Sequence, residues 1–163
     1  MSRQISDLKV ILQQLIVEQG NLLSQLEAQY AAMKKFDIKT MLEVGHDQEA
    51  TRLRLISLEH KRRALVRQIA AGAKLNEEPS ITRIMELFPP YASDFENLRG
   101  QLRALASKIS QRANMATKLS AAVLGHLNTA VRLVAGAIER AGIYTRSGGP
   151  KVASRIGVMD AVG

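Results

Sequence analysis

From Ile5 onward, apolar residues return at alternating intervals of three and four: Ile5, Leu8, Leu12, Leu15, Gln19, Leu22, Leu26, Gln29, Met33 and Phe36. Such alternation keeps one line of side chains on one side of a helix, the seam of a coiled coil or a long bundle helix. Only Gln19 and Gln29 break the line. Ile11, Ile16, Leu23 and Tyr30 widen it on one side, so the spacing predicts a helix packed against more than one neighbour. Ser6, Asp7, Lys9, Gln13 and Glu27 then face water.

At Phe36-Asp37 the pattern resets. Asp37 can accept hydrogen bonds from the first free amides of a second helix ahead of Ile38, Met41 and Leu42. A reversal this tight makes the first two helices antiparallel. The second is expected to run to about Ala71, with Gly72 as a left-handed cap and Leu53, Leu55, Ile56, Leu58, Leu65, Val66 and Ile69 as its apolar set. Gly45 and His46 weaken its first turns.

Gly72, Pro79 and the Pro89-Pro90 pair bound the one substantial interruption. Within it Ser80 can cap a short helix over Ile81 to Phe88, placing Ile81, Ile84, Met85 and Phe88 on one face over the end of the bundle. Ser93 and Glu96 have the spacing of a capping box, and a long proline-free helix follows to about Ala141, with Gly142 as its stop. Its first seam is Leu98, Leu102, Leu105, Ile109, Arg112, Ala116, Leu119, Val123, His126, Ala130, Leu133 and Ala137. From Leu124 a second seam joins it: Leu124, Leu127, Val131, Val134 and Ile138. The expected fold is all-α, an elongated antiparallel helical bundle or coiled coil of three main long helices with a short connecting helix. Residues 1–145 form the bundle domain, and 146–163, which contain Gly148-Gly149-Pro150, form a flexible C-terminal tail.

Composition agrees with this pattern and narrows the chemistry. Three Phe, three Tyr, four Pro and no Trp in 163 residues suit long helices rather than sheets. The absence of cysteine excludes disulfides, thiol catalysis and cysteine-held metal, and fits a reducing compartment. His46, His60 and His126 lack metal-ligand spacing, and no phosphate-binding glycine loop or nucleophile elbow is present. No catalytic residue, metal or cofactor is therefore expected, and the chain is read as a non-enzyme.

A net charge of +8 raises the question of an acidic partner. Arg52, Arg54, Lys61, Arg62, Arg63 and Arg67 form the densest basic cluster, with few acids nearby in sequence. It is either a solvated helix face or a surface for phosphate or an acidic partner. Nucleic acid is not expected, since no aromatics interleave the cluster and no zinc-finger or RNP signature accompanies it. The closest approach to a membrane span, Leu119 to Ile138, is interrupted by His126, Asn128 and Arg132. A central Arg alone costs about 3 kcal/mol on insertion scales, so no span is expected. The N-terminus scatters charges and glutamines among its apolar residues, unlike a secretory signal, and a cytoplasmic location is inferred.

What remains is the excess apolar surface of Leu119, Val123, Leu124, Leu127, Val131, Val134 and Ile138. An amphipathic partner helix laid along it would gain about 1.5 to 3 kcal/mol per aliphatic side chain before association costs. The second seam could instead contact the short proline-bounded helix, or a second copy of the chain in a homodimer.

Two blocks carry a family resemblance. FDIKTMLEVGHDQEATRLRLISLEHKRRALVRQIA, preceded by a long amphipathic helix, resembles the FlgN-type flagellar export chaperones in its acidic turn and in the stretch Leu58, Glu59, His60, Lys61, Arg62, Arg63. The long last helix followed by IYTRSGGP is similar to that family's Tyr-x-x-x-Gly motif. Together they cover most of residues 5–149. The resemblance implies a small cytoplasmic helical chaperone. Its clients would be the C-terminal amphipathic regions of the hook-filament junction proteins FlgK and FlgL, kept unpolymerised and delivered to the flagellar type III export gate. It also implies a client surface on the C-terminal half of the last helix, and matches Tyr144 to the tyrosine that docks on the gate component FlhA. On the residues alone Tyr144 could equally anchor the tail, and a basic bundle binding nucleic acid or an acidic surface, or a structural coiled-coil dimer, stay open as alternatives.

Overall fold

The computed structural model describes residues 2–143, with side chains described through Gly136. The elements are α1 (Ser2–Lys35), α2 (Ile38–Gly72), α3 (Ile81–Leu87), a 3-10 turn (Pro89–Tyr91) and α4 (Ala92–Ile143), with no strand among the described residues. The chain divides into two compact units, Met1–Leu119 and Ser120–Gly163. The fold is all-α, as the periodicity predicts.

In the first unit, polar contacts reveal the direction of each helix. Glu18 pairs with Arg54 at 3.0 Å, Gln25 donates to Thr51 Oγ1 at 3.0 Å, and Gln48 donates to Gln29 at 3.1 Å. Numbers that rise along α1 fall along α2, so the two are antiparallel. Lys9 pairs with Asp94 and Arg112 with Glu27 at 3.3 Å, rising together, so α4 enters parallel to α1. Of the two glutamines in the α1 seam, Gln29 joins a polar layer through Gln48, whereas the buried Gln19 Oε1 has no partner among the described residues; Thr51, which receives Gln25, is fully buried and also accepts from Arg54 at 2.9 Å. A layer of this kind specifies register, because sliding either helix would strand buried polar groups.

The core gathers where the start of α1, the end of α2 and the start of α4 meet. Ile5, Leu8, Leu12 and Leu15 pack with Leu58, Val66, Ile69, Phe95 and Leu98. Helix α3 closes this end as its spacing predicts: Ile84 is 1% exposed, and Ile81, Met85 and Phe88 pack beside it. Two of the three expected side-chain caps are present. Asp37 accepts from the Thr40 amide at 3.1 Å and its hydroxyl at 2.7 Å, and Ser80 accepts from the Arg83 amide at 3.2 Å.

Several boundaries differ from expectation, each for a local reason. Helix α2 does not end in a left-handed Gly72; the left-handed residue is Lys74 (φ 55°). Leu75 donates to Ala70 at 2.9 Å and Lys74 to Ala71 at 3.1 Å, the paired bonds of a Schellman ending, with half-buried Leu75 in the position that favours an apolar residue. Helix α1 ends the same way: Phe36 (φ 54°) is the left-handed residue, so it leaves the seam and is 64% exposed. Asp37 donates to Ala32 in that motif and also caps α2, which explains the tightness of the reversal. Ser93 and Glu96 form no capping box. Helix α4 starts at Ala92, directly from the 3-10 turn, and the Glu96 carboxylate pairs with Arg99 at 2.9 Å. Phe95, which the expected seam does not include, is fully buried. Helix α2 continues unbroken through Gly45, and α4 continues through Gly142 to Ile143. Finally, Leu53 and Ile56 are exposed: at about 100° per residue, Leu53 lies opposite the face defined by Thr51, Leu55 and Leu58, and Ile56 lies well to its side.

Candidate functional site

The second unit, taken by itself, is helical through its described residues, and its Ala121, Ala122 and Leu124 are strong helix formers with no proline among them. Its large apolar side chains are uncovered: Leu124 is 65% exposed, Leu127 55%, Val131 65%, Leu133 65% and Val134 59%. Leu124, Leu127, Val131 and Val134 are spaced by three, four and three and so share one stripe, whereas Leu133 lies about 140° from its axis, on another side of the helix. Leu133, a member of the first seam, is exposed as well. Val123 is half-buried, as is Leu119, the last residue of the first unit. The side chain of Ile138, and the whole of Tyr144 and of the expected tail at 146–163, lie outside the described residues.

The polar groups within this stretch do little to break the surface. Thr129 donates its hydroxyl to the Gly125 carbonyl at 3.0 Å, which satisfies the hydroxyl within the helix itself. His126, Asn128 and Arg132 are exposed. Within the first unit, α3 turns its own apolar face into the core through Ile84, Ile81, Met85 and Phe88. Exposed apolar stripes of this size mark interaction sites.

The basic face of α2 turns out differently from its sequence appearance. Arg52 pairs with Glu49 at 2.7 Å, Arg54 with Glu18 at 3.0 Å, Arg62 and Arg63 with Glu59 at 2.7 and 3.0 Å, and Arg67 with Glu78 at 2.8 Å. Four acids, one turn away or brought in from other segments, pair with the five arginines, Glu59 serving both Arg62 and Arg63. The strongest of these interactions leaves a titration signature. The Arg62 hydrogen bonds, helped by Arg63 and partly opposed by burial, lower the Glu59 carboxyl to about 2, and Arg62 is raised in turn. Lys61 alone of the cluster has no ion pair among the described residues. The cluster is a paired helix face and offers little free charge to a phosphate.

Elsewhere, a groove of about 460 Å³ between α1 and α4 of the first unit is lined by Leu23, Lys108, Gln111, Met115 and the Glu27–Arg112 pair. The turn between α1 and α2 exposes Phe36, Ile38 and Leu42. No group of three or more His, Asp or Glu able to hold a metal ion occurs among the described residues. No helix among them is long and apolar enough to cross a membrane.

Comparison with known families matches residues 1–151 to the family described as FlgN protein. No curated protein matches the chain, and no solved structure does.

Proposed function

This chain belongs to the FlgN family of flagellar export chaperones, and from that premise we propose that it binds the C-terminal helical regions of the junction proteins FlgK and FlgL. The observation that carries the reading is the uncovered stripe of Leu124, Leu127, Val131 and Val134, each more than half exposed. A client's amphipathic helix needs an apolar face of the same length and spacing. Covering that face keeps the client from polymerising through it, and the client in turn covers the stripe. At about 1.5 to 3 kcal/mol per aliphatic side chain, a handful of docked residues exceeds ordinary association costs. Leu119, Val123 and Ile138 extend the same surface at its two ends.

No bond is made or broken in this function. The chaperone works by occupancy in the cytoplasm and by release at the export gate, where Tyr144 docks on FlhA. Residues 1–145 act as the chaperone domain and 146–163 as its tail.

Client capture tests the surface. A Leu127→Asp, Val131→Asp variant is expected to keep its helicity and thermal midpoint while losing FlgK and FlgL. Retention of wild-type affinity by a folded double variant would reject this surface. Tyr144→Ala is expected to bind clients normally and to fail in export; normal secretion of junction proteins by that variant would remove the gate role.

A further inference from the structure

Spacing puts Arg112 in the covered seam of α4, between Ile109 and Ala116, where an aliphatic side chain would complete the stripe. Its side chain is 41% exposed, and its Nε lies 3.3 Å from the Glu27 carboxylate of α1. That is the longest arginine–carboxylate pair among the described residues, the others measuring 2.7 to 3.0 Å. The two terminal nitrogens of Arg112 have no other polar partner among those residues. Lys108, Gln111, Arg112 and Met115 share one face of α4, and Leu23 and Glu27 stand one turn apart on α1. Between the two rows lies the groove of about 460 Å³, wholly within the first unit and of the size of small-molecule sites. Lys108 and Gln111 have no polar partner among the described residues, Leu23 is half-buried and Met115 is 41% exposed. Two cations one turn apart repel each other, and the single Glu27 carboxylate leaves one positive charge unmatched.

We propose that this groove binds an aliphatic carboxylate, a free fatty acid of medium chain length. The carboxylate sits between the Lys108 ammonium and the free terminal nitrogens of Arg112, a fork that matches its two oxygens. The chain lies along Leu23 and Met115, which are covered by it. A single unmatched positive charge suits a monoanion; a phosphate dianion would bring its second charge against Glu27. The lining also favours a plain hydrocarbon over a peptide segment. Buried backbone N–H and C=O groups need partners, and Gln111 is the one uncharged polar side chain in the groove. This site is independent of the client surface on the second unit. Because the ligand touches both α1 and α4, its binding stabilises the folded first unit by mass action.

The test is calorimetric titration of the full chain with sodium decanoate, decanol and decyltrimethylammonium. Decanoate is expected to bind about tenfold tighter than decanol, with the cation weakest, and to raise the thermal midpoint. Glu27→Gln removes the carboxylate that competes for Arg112 and is expected to tighten decanoate by about tenfold. A Lys108→Gln, Arg112→Leu variant, which fills the seam with an aliphatic side chain and so keeps the fold, is expected to lose the preference for decanoate over decanol. The Leu127→Asp, Val131→Asp variant is expected to bind decanoate as wild type does. Equal affinities of decanoate and decanol for the wild-type chain, or no decanoate binding at about 1 mM, would overturn the proposal. Loss of decanoate in the Leu127→Asp, Val131→Asp variant would also overturn it, by moving the ligand to the stripe of the second unit. A short leucine-rich peptide with a free C-terminus that bound as tightly as decanoate would replace the fatty acid with a chain end.

Discussion

Helix α4 carries the same three-and-four spacing of apolar residues in both units, yet the outcome differs. In the first unit Phe95 is fully buried and Leu98 is 6% exposed, packed against Ile5, Leu8 and Ile69. In the second unit the five large apolar side chains from Leu124 to Val134 are 55 to 65% exposed. Spacing states that a helix face is built to be covered; it does not say by what. For the first half of α4 the cover is in the same chain. For the second half the described residues supply none, and a client helix is the proposed cover. The charges differ by helix: the clustered arginines of α2 are paired, whereas Arg103, Lys108, Lys118 and Arg132 of α4 make no ion pair among the described residues.

The sharpest way to break this comparison is to delete an aromatic on one side of it. Phe95→Ala should cost about 3 to 5 kcal/mol in urea unfolding, since a fully buried ring is replaced by a cavity among helices that cannot all collapse. Leu127→Ala, spaced like a core residue but 55% exposed, should stay within about 0.5 kcal/mol of wild type. A cost of about 2 kcal/mol or more at Leu127 would mean that the stripe is already covered in the free protein, and the division between the units would fail.

A smaller effect is expected at the end of α2. Lys74 holds a left-handed backbone that glycine adopts freely, so Lys74→Gly should stabilise by about 1 kcal/mol, read as a raised thermal midpoint. Destabilisation would show that the Lys74 side chain contributes more than its backbone costs. The smallest effect concerns the paired arginine face. Glu59 is held at about 2, well below the ordinary 4.5 of a glutamate, chiefly by Arg62 and then Arg63. Its folded-state value is the lower one, so the unfolded chain takes up the proton first. The contribution is complete above about pH 4.5 and fades as the pH falls towards about 2. Unfolding of wild type and Glu59→Gln compared across that window should show their difference shrinking with acid. A difference that does not change with pH would assign the Glu59 effect to packing.

Much of this was legible from residues alone because it is local. Asp37 and Ser80 cap because a short acceptor sits next to free amides, whatever the rest of the fold does. The α1 seam, the short α3 with its one apolar face and the long α4 follow from spacing. The second seam was visible for the same reason. Other features depended on distant neighbours. Gly72 is the last residue of α2 as expected, but the left-handed residue comes two positions later at Lys74, where Leu75 takes the apolar position of the Schellman motif and the chain leads into α3. Leu53 and Ile56 joined the apolar set by hydropathy and left it by angle, once Thr51, Leu55 and Leu58 defined the buried face.

The sequence by itself determined the helices, two of their caps, the family and the existence of an apolar surface larger than one neighbour requires, all of which rest on contacts a few residues apart. Tertiary structure decided which surface stays uncovered. Pairing Arg54 with Glu18 and Arg67 with Glu78, and committing α3 to the core, needs segments remote in sequence to meet. Only after those meetings do Leu124, Leu127, Val131 and Val134 stand out as exposed, together with the unmatched charge of α4.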